Sequence, residues 1–233
     1  MHATLPEKRF EDSGAAEYDQ RITRLIPGYA ELHRLNAAIL HPLPADARIL
    51  LIGVGTGTEL LSLADSRPQS AFTALDPSFA MLEQAKRKAA CLPNTVYWHH
   101  GLLEELPEAP QYDAALCLFV MHFLPDIREK GSLLRQAACR LKPSAPLLLA
   151  DLAVQCSGQT ECLVQYARTQ GLPDHQLDRL QRRLQQDFFP LTPGNLTDLA
   201  TTCGFETPEP YWQNLGFTAW RLRRASPLPT AAV

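Results

Sequence analysis

The stretch Arg48 to Asp76, RILLIGVGTGTELLSLADSRPQSAFTALD, constrains the fold more than any other part of the chain. Ile49 to Ile52 is an unbroken apolar run, the pattern of a strand buried on both faces. Gly53, Gly55 and Gly57 follow at alternate positions. Thr58 then opens a helical pattern with Leu60, Leu61 and Ala64 on one side, stopped at Pro68. A second apolar run, Ala71 to Leu75, ends on Asp76. Strand, glycine turn, helix, strand and acid in this order predict a βαβ unit. Glycines let the backbone turn tightly and meet a ligand with no Cβ between. The helix N-terminus behind them carries N–H groups without intrahelical partners. An acid at the tip of the next strand, about 20 residues on, suits the two hydroxyls of a ribose. The unit therefore predicts a site for a nucleoside-type ligand. Asp76 has a second reading: it precedes Pro77 and fits the N-cap of the helix expected there.

At 233 residues the chain is long enough for one domain with a full core. A net charge of −3 and a pI near 6.2 supply no basic field for nucleic acid. No apolar run approaches a membrane span, and the polar start MHATLPEKRFEDSG has no signal-peptide core. Six cysteines, at 91, 117, 139, 156, 162 and 203, show no C-x-x-C spacing, and several lie inside apolar patterns. This predicts buried, reduced thiols in a cytoplasmic protein and no metal site. His99 and His100 are adjacent, but neighbouring strand residues face opposite ways, so the pair does not make two ligands of one metal.

Residues 1–46 read as an N-terminal segment, loose over 1–16 and then two helices within Tyr18 to Leu40, joined at Ile26-Pro27-Gly28-Tyr29. Residues 47–224 read as the main domain. Its expected elements after Asp76 are a helix over Pro77 to Ala90 with Phe79, Leu82, Ala85 and Ala89 inward, and strands over Thr95 to His99 and Ala114 to Phe119. A helix over Ile127 to Leu141 and a strand over Pro146 to Asp151 follow. The segment 152–192 breaks the alternation with two amphipathic helices, about Gln159 to Gln170 and Asp174 to Phe188. In the second, Leu177, Leu180, Leu184 and Phe188 form a stripe flanked by Arg179, Arg182 and Arg183. This insert follows the fifth strand, above the carboxyl edge of the sheet, and reads as a substrate lid, a helical pair packed on the domain, or a homodimer contact. Thr192-Pro193 starts a helix that Gly204 ends. Glu206 to Tyr211 and Phe217 to Arg223 form a hairpin around Gln213 to Gly216, and 225–233 read as a disordered tail.

GVGTG is G-x-G-x-G, whereas dinucleotide binders place the third glycine one position later. With Asp76, Tyr112-Asp113 and Leu141-Lys142-Pro143, the pattern resembles the class I S-adenosylmethionine (SAM) dependent methyltransferases from about Arg48 to Arg223. The resemblance implies a doubly wound, Rossmann-like, seven-stranded α/β sheet with an antiparallel last strand. It implies SAM or a derivative as cofactor and a small-molecule methyl acceptor. It assigns cofactor contacts to the loop Gly53, Val54, Gly55 and Gly57, to Asp76, and to the backbone of Leu102 and Leu103. Leu51 and Leu102 stand where the family usually has acids, which leaves weak, altered or absent cofactor chemistry open, including a non-catalytic partner protein of this fold. Ile26-Pro27-Gly28-Tyr29, Phe119 to Leu124 and the spacing of Trp212-Gln213 to Phe217 resemble the carboxy-SAM synthases of tRNA wobble-uridine modification. That resemblance adds Tyr29, Pro77, Leu118 and Arg183 to the cofactor set; Pro77 stands at that family's second ribose-side position, and Leu118 replaces an asparagine of that family. His122, just past the fourth strand, is the candidate general base. Phe119, Tyr18, Tyr29 and Trp212 are candidate aromatic walls, with Tyr29 preferred.

Overall fold

The computed structural model describes residues 12–109, 111–153 and 158–226, and side chains from residue 17 onward. Two helices come first, α1 (Asp12–Leu25) and α2 (Tyr29–Leu40), broken at Gly28 with φ 73°. Then follow β1 (Arg48–Ile52), α3 (Thr58–Ser66), β2 (Ala71–Asp76), α4 (Phe79–Lys88), β3 (Val96–His100) and β4 (Ala114–Leu118). The chain continues through α5 (Ile127–Arg140), β5 (Pro146–Leu152), α6 (Gln159–Thr169), α7 (Asp174–Gln186) and α8 (Pro193–Thr202). It closes with β6 (Glu209–Asn214) and β7 (Phe217–Arg223).

The strands form one seven-stranded sheet in the order β3-β2-β1-β4-β5-β7-β6. The first five are parallel; β7 runs antiparallel to β5, and β6 antiparallel to β7. This is the doubly wound, Rossmann-like sheet of the methyltransferases, with its reversed last strand. The apolar runs explain the centre. Ile49 to Ile52 and all five residues of β4 are buried, since helices cover both faces. One core layer includes Leu32, Leu51, Phe72 and Leu116; the other includes Leu50, Leu75, Leu134 and Trp220. The strand order reverses between β1 and β4, so their carboxyl ends part and leave a crevice, the usual ligand position of such sheets. Among the described residues no helix is long and apolar enough to cross a membrane.

Several local readings change. Helix α1 already begins at Asp12. The hairpin is tighter than the spacing suggests: β6 runs to Asn214 and β7 starts at Phe217, leaving only Leu215 and Gly216, with φ 36° and 88°. Positive φ at both central positions matches the twist of the strands. Helix α4 begins at Phe79 because Ser78 is its N-cap, with Oγ accepting from Met81 N–H. Phe79, the first residue of the helix, is 60% exposed rather than inward, while Met81, Leu82 and Ala85 face in. Cys91, Cys139 and Cys162 are exposed rather than buried; Cys117 and Cys203 are buried, and Cys156 lies outside the described residues. The expected tail is still attached at its start, where Ala225 N–H donates to Gly204 O; residues 227–233 lie outside the described residues.

The stripe of α7 is used inside the chain. Leu177 and Leu180 close a small core with Ala167 of α6 and Leu172 of the turn after it, and Leu25 of α1 and Val164 of α6 pack against it. Phe189 N–H donates to His122 O at 2.7 Å, so the end of the insert rests on the segment that leaves β4.

The link from α2 into β1 is held by one buried side chain. Arg67 donates to the carbonyls of Leu40 (2.8 Å), Leu43 (3.1 Å) and Pro44, and through Nε to Ser70 Oγ (3.1 Å). Arg67→Met keeps much of the volume but removes every donor. It is expected to cost about 3 kcal/mol, the scale of leaving buried carbonyls unpaired. Urea denaturation reads the loss; an unchanged midpoint would mean that the link holds itself.

Candidate functional site

The crevice opens into a cavity of about 420 Å³ above the ends of β1, β2, β3 and β4. Its floor is Gly53 and Gly55, one rim is Asp76, Pro77 and Ser78, and Gly101, Leu102 and Leu103 form the side beyond β3. Leu118, Phe119 and Val120 form the wall after β4, Tyr18 reaches in from α1, and α5 closes the far side.

Each glycine of the loop has a different reason. Gly53 (φ 71°) lies so close to Val120 that a Cβ would stand 2.5 Å from its Cγ2. Gly55 (φ 53°) faces open space, with no atom within 4 Å of the position a Cβ would take. It is the position where a ligand meets bare backbone. Gly57 packs on α4, where a Cβ would come within 3.0 Å of Ala85 Cβ. The N–H groups of Gly53 and Val54 both donate to Leu75 O, so the loop spends two of its donors on itself.

Asp76 does not cap α4. Its Oδ2 accepts from Gly55 N–H and its Oδ1 from Ser78 N–H, each at 2.8 Å. Each carboxylate oxygen can take a further hydrogen bond, and the cavity lies at this side chain. Burial raises its pKa, while the two amides oppose that shift.

The expected site residues divide. Gly53, Gly55, Asp76, Pro77, Leu102, Leu103 and Leu118 line the cavity; Tyr29, Val54, Gly57, His122 and Arg183 do not. Val54 is buried in the core. Tyr29 is packed between His33 (4.5 Å between rings) and Phe119 (6.0 Å), and Tyr18 takes the cavity position instead. The cause is remote in sequence: Asp19, beside Tyr18, accepts from Thr56 Oγ1 in the glycine loop and pairs with Lys88 of α4 at 2.8 Å. These bonds pin α1 across the loop. Trp212 also stays out of the cavity, packed against Gly28. Arg183 stands one ring behind the wall, with its guanidinium 5.8 Å from the ring centre of Phe123 and 5.0 Å from that of Phe188, and 3.9 Å from Asp187. His99 pairs with Glu105 at 3.0 Å and His100 bonds Pro77 O at 3.1 Å.

His122, the expected base, lies behind the cavity wall rather than in its lining, and its ring is tied to Asp151. Asp151 of β5 receives both its Nδ1 and its backbone N–H, the latter at 2.8 Å, and the pair is buried. Phe188 meets the His122 ring edge-on at 4.6 Å. The arrangement joins β5, the exit of β4 and the end of the insert.

Two features escaped the sequence. One is the α5 face of Glu129, Ser132, Leu133 and Gln136, which lines the cavity at i, i+3, i+4 and i+7 spacing. The polar residues beside the Leu134–Ala137 stripe were its only signal. The other is Glu59, buried in the first turn of α3. Burial, with a contribution from the charge of Asp76, pushes its pKa up to about 8; its own amide partly opposes this. An unfolded glutamate titrates near 4.3. Between those values the folded state binds more protons, so this group lowers stability as pH rises through that window. Glu59→Gln is therefore expected to be more stable than the parent at pH 8 and to differ little at pH 4. Urea midpoints at the two pH values check it, and an equal pH slope in both proteins would contradict it.

Residues 49–144 match the model of the methyltransferase domain family. Carboxy-S-adenosyl-L-methionine synthase of Campylobacter concisus is 25% identical over 206 residues, covering 86% of this chain and 87% of that protein. The Burkholderia thailandensis 1,6-didemethyltoxoflavin-N1-methyltransferase, solved with its substrate and S-adenosylhomocysteine, superposes with a TM-score of 0.68 at 16% identity, over 97% of this chain and 92% of that one. A SAM-dependent methyltransferase of Methanosarcina mazei gives 0.58 at 19% identity, over 81% and 97%. Residues 49–144 are thus similar to the methyltransferase domain family, and the chain as a whole shares the fold of these solved methyltransferases.

Proposed function

We propose that this chain binds SAM above β1 and β4 and transfers its methyl group in line to a small molecule. The observation that carries the reading is the charge of the cavity. Asp76, Glu104 and Glu129 line it, and no arginine or lysine does so among the described residues. Such a wall suits a ligand that is itself cationic. SAM, when bound, supplies a methyl group already made electrophilic by a sulfonium. The residues of this chain then have to bind and orient. Asp76 accepts from ribose hydroxyls, bare Gly55 admits the ligand to the loop, and the apolar sides of Leu102, Leu103 and Val120 enclose the base. Tyr18 and Phe119 offer aromatic faces to the sulfonium, worth up to about 2 kcal/mol when water is excluded. Holding the reactants aligned can supply on the order of 7–11 kcal/mol of the barrier. Because no histidine lines the cavity among the described residues, the site favours an acceptor that is nucleophilic without a histidine base. The acidic balance of the chain and the apolar walls favour a small organic acceptor over nucleic acid.

A second reading is carboxy-SAM synthesis, favoured by likeness to carboxy-SAM synthases over 86% of the chain. It needs a cation for the added carboxylate, and Arg183 reaches the cavity only past Phe123. Native mass spectrometry of the purified protein, followed by extraction of bound nucleoside, separates the readings. SAM or S-adenosylhomocysteine is expected. Carboxy-SAM, retained by the parent and lost in Arg183→Ala, would reverse the preference.

Asp76→Ala is expected to weaken S-adenosylhomocysteine binding tenfold or more, since two charge-assisted bonds to ribose are worth roughly 1.5–3 kcal/mol. Ser78→Ala, which removes the true cap of α4, is expected to lower the melting temperature and spare affinity. Calorimetric titration of both proteins checks this; undiminished affinity in Asp76→Ala would remove the ribose assignment.

A further inference from the structure

Leucine at position 102 stands where the resemblance puts an acid facing the base, and the acid on that side of the cavity is Glu104. The polar groups on the opposite wall belong to α5. Glu129, Ser132 and Gln136 stand on one face of that helix and line the same cavity as Leu102 and Leu103. Gln136 is the one whose orientation chemistry fixes. Arg140 Nη1 donates to Gln136 Oε1 at 2.5 Å and to the Gln136 carbonyl at 2.9 Å. A guanidinium has donors only. The amide must therefore turn its oxygen to Arg140 and its NH2 group away. Arg140 cannot swing aside: it is fully buried, and its Nη2 donates to Leu106 O. Gln136 Nε2 meets no partner among the described residues.

Resting on the SAM reading of the site, we propose that Gln136, held by Arg140, reads the nucleobase by donating from Nε2 to a ring nitrogen of adenine. A carboxamide can match the hydrogen-bonding edge of adenine. Here one end is locked, so the residue acts as a fixed donor. The ring nitrogen N1 of adenine is an acceptor. In hypoxanthine the same position carries a proton, and two donors would face each other. The site is then expected to discriminate against a deaminated base even though Leu102 cannot.

The test is calorimetric titration with S-adenosylhomocysteine and S-inosylhomocysteine, on the full chain and on Gln136→Leu and Gln136→Glu. The parent is expected to prefer the adenosyl compound by about tenfold, the scale of one hydrogen bond made against one left unpaired. Gln136→Leu is expected to lose that preference through weaker adenosyl binding. In Gln136→Glu one oxygen can keep Arg140 while the other presents an acceptor, so the preference is expected to move further toward the inosyl compound. A purely structural role would weaken both compounds equally and leave the ratio alone. An adenosyl-to-inosyl ratio unchanged in both variants would overturn the proposal while leaving the SAM site standing. A parent protein that binds neither thioether would overturn the SAM reading and this proposal together.

Discussion

The carboxylate of Asp76 ties the turn after β1 to the start of the helix after β2. By accepting from Gly55 and Ser78 it shapes the floor and the rim of the cavity at once. Its burial is costly to the charged form, and the two amides are what make it tolerable. The crevice between β1 and β4 supplies the space; this side chain gives the space its shape. Burial is the main reason that the nearby Glu59 favours its neutral form, and the charge of Asp76 adds to it.

The segments outside the βαβ core complete the site rather than decorate it. Asp19 fastens α1 to Thr56 and Lys88, and so brings Tyr18 over the loop. At the other end, the His122–Asp151 clasp and the bond from Phe189 to His122 O join the insert to Phe123, which lines the cavity. Phe119 turns the corner at β4 with φ 60°, a conformation that a bulky side chain adopts only where its surroundings hold it. Tyr29 and Phe217 do so by packing on its ring.

The βαβ unit and the whole sheet were legible because their signals are local: unbroken apolar runs, alternating glycines and an acid at a strand tip. What was not legible depends on contacts distant in sequence. Tyr18 and Tyr29 look alike on a helical pattern, and a salt bridge from Asp19 to Lys88 separates them. Phe79 reads as inward from its spacing to Leu82, but at the first position of α4 it stands exposed beside the ring of His100. His122 reads as a residue of the site from its place at a strand end, but contacts with Asp151, 29 residues on, hold it behind the cavity wall. Gln136 carries no motif at all, and only the packing of α5 over β4 brings it to the cavity.

The most direct test of the account is a crystal structure of the full chain grown with S-adenosylhomocysteine. The account predicts both ribose hydroxyls within hydrogen-bond distance of the Asp76 carboxylate, the thioether beside Gly53 and Phe119, and the base between Leu103 and α5. A nucleoside bound elsewhere, or a crevice left empty at saturating ligand, would contradict it.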